Sequence, residues 1–363
     1  MKLHYFRSRH GNFGDDLNGW IWPELLPGLW DEGEDGVTFV GIGTILNRLV
    51  PDSRVKLVLG SGVGYAPLPD GLHDGSWRFL AVRGPLSARA AGLPAETAIT
   101  DGAILLGVLP GLARPESERT GGTVFVPHVS SAEDGGWQEI CERLGFTYVD
   151  PRWDFHRVFA LIGNARLVLA DAMHGAIVAD TLRVPFVPLV SSSEISSFKW
   201  MDWTLSMDLP YRPIRLPASS LVEAMRDRVT PAVGRSFLNP AVLDARQGDD
   251  AQLADRLIAQ LQETSRREES AGWQQLNRNA MRGWQRLLRP AVSRLSGSVL
   301  KGLDARCRER ATEALRKAAT APSLLSDDRI FADRRDRMVE KVEAVRQMGG
   351  RTDAHGRAAM ASG

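Results

Sequence analysis

The chain is poor in cysteine: Cys141 and Cys307 are the only two in 363 residues, and they stand far apart. They fit no disulfide framework and no paired metal or redox spacing, and they read as reduced thiols of a cytosolic protein. Long apolar runs are lacking as well; none reaches the ~18 residues needed to span a bilayer. The opening MKLHYFRSRH is broken at once by Arg7, Arg9 and His10, so no apolar leader core is expected there. Charge of one sign is also missing. The chain carries 45 basic and 44 acidic residues, a net +1 that gives no strong field for nucleic acid. There is no Walker loop, no H-E-x-x-H and no clustered metal spacing. GSGVG at 60–64 hints at a dinucleotide turn, but Tyr65 and Ala66 follow it and the full glycine pattern is absent.

What is present is an ordinary globular composition, 43% hydrophobic and 25% charged, long enough for two cored domains. The first third repeats one pattern: a short apolar run, a glycine-rich break, then a helix-like stretch. KLHYF is followed by DDLNGWIWPELL, VTFVGIG by TILNRLV, and RFLAVRG by PLSARAAG; VKLVLGSGVG lies between them and TAITDGAILL closes the set. Residues 111–122 read as a linker. The pattern then restarts: TVFVPHVSS, FTYVD, ARLVLADAMHG and PFVPLVSS read as strands with their exits, separated by GWQEICERLG, FHRVFALIGNA and AIVADTLRV as helices. Strands alternating with helices indicate parallel sheets with crossover helices, in which ligands sit at the carboxyl ends of strands. The expected fold is α/β, two Rossmann-like doubly wound units facing a cleft: an N-terminal domain over 1–115 and a second over 120–217. A helical extension over 218–348 and a disordered tail over 349–363 are expected to follow.

The polar and glycine-rich pieces lie at the strand exits. In AVRGPLS, Arg83 leaves a strand, Gly84 turns and Pro85 suits a first helical position. Free amides and a guanidinium there outline a phosphate or carboxylate site, the alternative being a surface arginine. In LVLADAMHGAIVAD, His174 stands at the mouth of the sheet, where it either exchanges a proton or caps and packs. His128 with Ser130 and Ser131 occupies another exit and suits phosphate oxygens or a polar loop. Lys199 between Phe198 and Trp200 lines a sugar or anion pocket, or is exposed while the rings pack in the core. Gly11, Asn12, Gly14, Asp15, Asp16 and Asn18 crowd one turn after the first strand, as a helix cap or a binding surface. Farther on, Arg278, Arg282, Arg286 and Arg289 form a basic stripe beside Trp273, Leu276, Ala280, Trp284 and Leu287. The stripe reads as an interfacial helix touching anionic lipid over 273–294, or as an ordinary surface helix with a solvated face.

Together these pieces resemble the polysaccharide pyruvyl transferase family, in its branch acting on exopolysaccharides such as succinoglycan. GNFGDDLN, VGIGTIL, VLGSGVG, AVRGPLS, TDGAILL, VPHVSS, ADAMHGAIVAD and SFKWMDW carry the likeness, in that order, over roughly residues 1–215. The resemblance implies a GT-B-like arrangement and phosphoenolpyruvate as donor, with no cofactor and no metal required. The acceptor it implies is a sugar with two suitable hydroxyls, often lipid-linked, and the product a pyruvate ketal with release of phosphate. His174 matches the family histidine and is the implied acid for the donor's methylene carbon. Arg83, Gly84, His128, Ser130, Gly175 and Lys199 are the implied donor contacts. Asp15 or Asp16 is implied to deprotonate the acceptor, with Asn12, Asn18 and Trp200 holding it and one acid capping the helix from Leu17. One departure stands out: many relatives carry S-x-R-x-H, and here Ala172-Met173 precede His174 with no Arg nearby. The missing cation is expected from Arg83, Lys199 or Arg152. Location is expected in the cytoplasm, peripheral on the inner face of the plasma membrane, with no nucleic-acid partner. A GT-B-type nucleotide-sugar glycosyltransferase and a non-catalytic sugar-binding subunit are the competing readings; no E-x-x-x-x-x-x-E pattern near His174 supports the first.

Overall fold

The computed structural model describes residues 1–30, 36–64, 67–232 and 250–360. The side chains of 230–232, 250 and 349–360 lie outside that description, as do 233–249 of the expected extension and 361–363 of the expected tail; the backbone of 349–360 is helical. The fold is mixed α/β, with two parallel sheets and helices toward the C-terminus.

The first sheet contains β1 (Lys2–His4), β2 (Val37–Val40), β3 (Val55–Ser61) and β4 (Trp77–Val82), side by side in sequence order. β3 reads VKLVLGS and is buried from its second residue onward, as a strand covered on both faces must be. The second sheet contains β5 (Thr123–Val126), β6 (Thr147–Tyr148), β7 (Leu167–Ala170), β8 (Phe186–Val190) and β9 (Ile214–Arg215), ordered β6-β5-β7-β8-β9. This order reverses between β5 and β7, so the second sheet is doubly wound and has a switch point there. The first sheet shows no such reversal among the described strands, which corrects the doubly wound expectation for that half. A second difference lies at residues 44–50. The expected helix TILNRLV is a run of turns and bends, because Asn47 Oδ1 accepts the Leu49 N–H and offers the backbone a local alternative. TAITDGAILL contributes only the bridge Val82↔Ala98 and then becomes a 3-10 helix, Gly102–Val108, capped by Asp101.

Helices follow the strands where their signals stand. α1 (Phe13–Asp16) and α2 (Asn18–Leu25) follow β1, and α3 (Pro85–Ala90) follows β4 with proline in its first turn. In the second half come α4 (Val129–Asp134), α5 (Trp137–Leu144), α6 (Phe155–Gly163), α7 (Met173–Thr181) and α8 (Ser197–Ser206). α5 ends at Gly145 in the left-handed region, φ 69°, where a side chain would be strained. α6 starts at Asp154, whose carboxylate accepts from the His156 and Arg157 amides.

The remaining helices are α9 (Leu221–Ala232), α10 (Asp250–Glu269), α11 (Ala271–Gly283), α12 (Arg289–Ser296), α13 (Lys301–Ala318) and α14 (Asp328–Met360), with a π turn, Trp284–Leu288, joining α11 to α12. α13 buries Ala311, Leu315 and Ala318 against Phe125, Trp137 and Leu189 of the second half. α14 places Phe331, Met338, Val342 and Val345 in the main core, and Arg346 donates to the Leu25 carbonyl at 2.9 Å. The main core is continuous across both sheets, from Trp22 and Phe39 to Val168 and Ala170.

Candidate active site

A cavity of about 630 Å³ opens where the carboxyl ends of both sheets meet. Its volume is in the range of small-molecule sites. From the first half come His4–Arg7 at the exit of β1, Asn12 and Asp15 from the α1 turn, and Thr44, Ile45, Asn47 and Leu49 beyond β2. From the second half come His128 after β5, Met173 and His174 after β7, and Lys199 on α8. His128 and His174 therefore flank the β5/β7 switch point, where an open parallel sheet leaves its crevice.

The α1 turn separates the two acids that sequence reasoning treats alike. Asn12 caps α1 by accepting from the Gly14 amide, and its own N–H donates to Asp16 Oδ2 at 3.0 Å. Asp16 thus serves the cap, and the helix begins at Phe13 rather than Leu17. Asp15 lines the cavity, held by a 2.5 Å hydrogen bond from Asn12 Nδ2. Burial pushes the Asp15 carboxyl up to about 7, against the pull of Lys199, with Asp16 and Asp101 raising it further. Asn18 does not reach the cavity. It is buried, accepts from the Ile42 N–H and the Trp22 indole, and donates to the Asp15 and Ile42 carbonyls. Its role is to tie the post-β2 loop to α1.

His174, near the start of α7, lies directly against α1. A Cβ at Gly14 would fall 1.9 Å from His174 Nδ1, so only glycine lets this helix pass the ring. His174 Nε2 is buried with no hydrogen-bond partner among the described residues. Burial first, then the Lys199 and Arg83 cations, push its pKa down to about 3, so the ring is neutral at physiological pH. His128 caps α4. Its Nδ1 lies 2.7 Å from Ser130 Oγ and accepts from the Ser130 amide, which leaves the ring proton on Nε2. Its pKa is also pushed down to about 3, by burial and then by Lys199 and Arg226. Ser130 is buried and orients this ring rather than lining the cavity. Beneath both histidines sits a group the sequence reading passed over. Asp171 Oδ2 accepts the His128 amide at 2.8 Å and the Ser191 hydroxyl, and burial pushes this carboxyl up to about 6. A carboxylate closing β7 three residues ahead of the histidine was the available signal.

α8 brings Lys199 to the cavity while its rings turn inward. Trp200 stacks on Tyr211 at 5.6 Å and is buried, so it belongs to the core and not to an acceptor surface. Three residues after Lys199, Asp202 accepts from Arg83 Nε at 2.9 Å and from the Ser87 amide and hydroxyl. Arg83 is 0% exposed; its other nitrogens donate to Thr44 Oγ1 and the Val63 carbonyl. The guanidinium expected to grip an anion is committed to a buried ion pair and lies outside the cavity lining. Gly84 is likewise a packing point, since a Cβ there would meet the Asp202 carbonyl at 1.9 Å. Gly175 packs on Val126, and Arg152 bonds Asp150 with both Nε and Nη2. Of the expected cations, Lys199 is the one that lines the cavity. Arg7 lines it too, stacked over Tyr5 at 4.9 Å; its only sequence signal was a basic residue just beyond a strand.

The arrangement supplies two cations, Lys199 and Arg7, two neutral imidazoles and a carboxyl that titrates near neutrality around one crevice. That set binds an anion and moves protons to and from it. A family model described as polysaccharide pyruvyl transferase matches residues 119–193, the stretch holding His128, Asp171 and His174. The chain is 45% identical over 229 residues to the succinoglycan biosynthesis protein ExoV of Rhizobium meliloti (strain 1021), covering 62% of this chain and 71% of that protein. No solved structure matches.

Proposed function

The chain belongs to the polysaccharide pyruvyl transferase family and is a transferase; on that premise we propose that it moves pyruvate from phosphoenolpyruvate onto two hydroxyls of a sugar in a lipid-linked exopolysaccharide precursor of the succinoglycan type. The observation that carries this reading is the cavity itself, with Lys199, His128, His174 and Asp15 around one crevice. The sharing of that crevice by the carboxyl ends of two parallel sheets supports a GT-B-like arrangement.

In this reading the donor's phosphate and carboxylate lie toward Lys199 and the His128 Nε2–H. Burial and then Lys199 and Arg83 hold His174 down; the incoming negative charge opposes both by favouring the charged ring, so it takes up a proton as the donor binds. His174 then protonates the methylene carbon, and the adjacent carbon becomes electrophilic. One sugar hydroxyl adds there and gives its proton to Asp15. The carbon–oxygen bond to phosphate breaks, the second hydroxyl closes the ketal as its proton passes to the departing phosphate, and Asp15 returns its proton to solvent. Donor plus two hydroxyls give ketal plus inorganic phosphate, which balances with no redox partner. Arg83 acts from below, holding Thr44 and α8 in place.

The test is phosphate release and mass spectrometry of the sugar after incubation with phosphoenolpyruvate and a lipid-linked oligosaccharide, or with synthetic glucosides and galactosides. A pyruvate ketal with matching phosphate is expected. Thermal stabilisation by nucleotide sugars with none by phosphoenolpyruvate would overturn the donor assignment.

A further inference from the structure

The segment from Ala271 to Leu303 contains five arginines and one lysine and no acidic residue. It forms α11, the π turn, α12 and the start of α13. Six of the twelve large hydrophobics exposed among the described residues fall inside it: Leu276, Leu287, Leu288, Leu295, Val299 and Leu303. Leu287 is 71% exposed and Val299 82%. Exposed apolar side chains concentrated in so short a stretch mark an interaction surface, and the exclusive positive charge around them selects an anionic partner.

The structure changes which residues face outward. The sequence stripe places Trp284 beside Leu287, but Trp284 is 1% exposed and packs inward. The five-residue π turn it opens departs from the 3.6-residue register, and beyond it Leu287 and Leu288 stand in solvent. Arg289 is used internally, donating to Asp134 at 2.6 Å, while Arg278, Arg282, Arg286, Arg294 and Lys301 are exposed. Trp284 and Arg289 thus fasten the helix to the body and leave the leucines and the other basic residues outside.

The position of this helix links it to the cavity. Arg48 donates to the Glu268 carbonyl, three residues before the segment begins. Its neighbour Leu49 lines the cavity and is 72% exposed, as is Phe6 at 58%. Midway along the segment, at the start of α12, Arg289 holds Asp134 of α4, the helix that His128 caps. The start and the middle of the basic segment are therefore tied to elements that border the crevice, and the mouth of the crevice has an apolar lip.

We propose that residues 271–303 rest on an anionic phospholipid surface, with Leu287, Leu288, Leu295 and Val299 in its outer apolar layer and the lip at Leu49 and Phe6 facing the same surface. Interfacial helices bind in this way, by apolar insertion together with attraction of basic side chains to anionic headgroups. No described helix is long and apolar enough to cross a membrane, so the contact lies on the surface. The biological sense of this contact rests on the lipid-linked acceptor proposed above; its test does not.

The full-length protein is sedimented with vesicles of phosphatidylcholine alone and of phosphatidylcholine mixed with phosphatidylglycerol. Binding to the mixed vesicles that weakens with salt is expected, with little binding to phosphatidylcholine alone. Leu287→Asp/Val299→Asp and, separately, Arg282→Glu/Arg286→Glu should each lose about tenfold or more in binding, with circular dichroism and melting unchanged. Turnover on a water-soluble acceptor should stay the same in both variants and fall on a vesicle-borne one. Absence of wild-type binding, or equal binding by the variants, overturns the proposal. So does a wild-type dimer that Leu287→Asp/Val299→Asp converts to monomer, which would give the face to a second copy. Failure of pyruvyl transfer alone would leave vesicle binding intact.

Discussion

At the scale of single residues, environment sorts groups that the sequence presents as equals. Asp15 and Asp16 are adjacent acids, yet one is pushed to about 7 inside the cavity and the other bonds a backbone amide. If ionised Asp15 accepts the acceptor's proton, kcat/KM for the acceptor at saturating donor should rise with pH through about 7 and level off above it. Asp15→Asn should abolish that limb. Lys199→Met should move it to higher pH, because Lys199 is the cation that lowers the Asp15 pKa. The neutral His174 of the free enzyme leads to a second prediction. Titration calorimetry of phosphoenolpyruvate in buffers of different ionisation enthalpy should show net proton uptake near pH 7. His174→Gln should bind the donor without that uptake, while turnover falls by ~10²-fold or more. Binding without uptake in the wild type would mean that the proton comes from another group.

At the scale of elements, two close approaches set the geometry of the site. α1 crosses the start of α7 at Gly14, where a Cβ has no room beside the His174 ring. Gly14→Ala should keep the fold and lower kcat by ~10²-fold, the usual consequence of an ångström-scale displacement of a reacting group. Restored turnover in this variant without movement of His174 in a crystal structure would contradict the placement. α8 is joined to the first half through Asp202, which meets Arg83 and Ser87 one turn after Lys199. Removing one partner of a buried pair leaves the other charge unpaired. Asp202→Ala should therefore cost ~3–5 kcal/mol in urea unfolding and lower activity as Lys199 shifts. Arg83→Ala should likewise lose stability as well as activity, unlike a surface anion contact, whose loss would raise KM alone.

At the scale of the whole molecule, the site concentrates titratable groups in a shared interior, and stability should record that. His128 and His174 are held near 3, well below the ordinary 6.5 of the unfolded chain. Between those values the unfolded chain binds protons that the folded chain does not, so each histidine lowers stability as pH falls below about 6.5, by up to ~1.4 kcal/mol per pH unit. Asp15, Asp101, Asp171 and Glu223 act in the opposite sense. Their raised values, about 6 to 7, mean that the folded state keeps protons the unfolded state has released, so stability falls as pH rises from about 4 to 7. The two sets of slopes oppose each other in the native protein. Replacing both histidines with glutamine removes one of them. Urea midpoints of that variant relative to the wild type should therefore rise between pH 6.5 and 4.5; a constant difference would show that the histidines are not buried neutral.

The sequence by itself determined the strands, most of the helices between them and the strand exits where chemistry gathers, because apolar runs, caps and glycines act locally. KLHYF, VKLVLGS and LVLADAMHG could be read as strands with their exits, and His128, His174, Lys199 and Asp15 could be named from position alone. Local signals do not carry partners. That Arg83 is spent on Asp202, 119 residues away, that Trp200 stacks on Tyr211 and Trp284 turns inward, and that Asn18 secures Ile42 were decided only by long-range packing. The same holds for the single crevice, since two sheets share it only after folding has set their carboxyl ends against each other. A side chain's chemistry is written in the sequence, but its protonation and its contacts depend on what surrounds it once water has been removed.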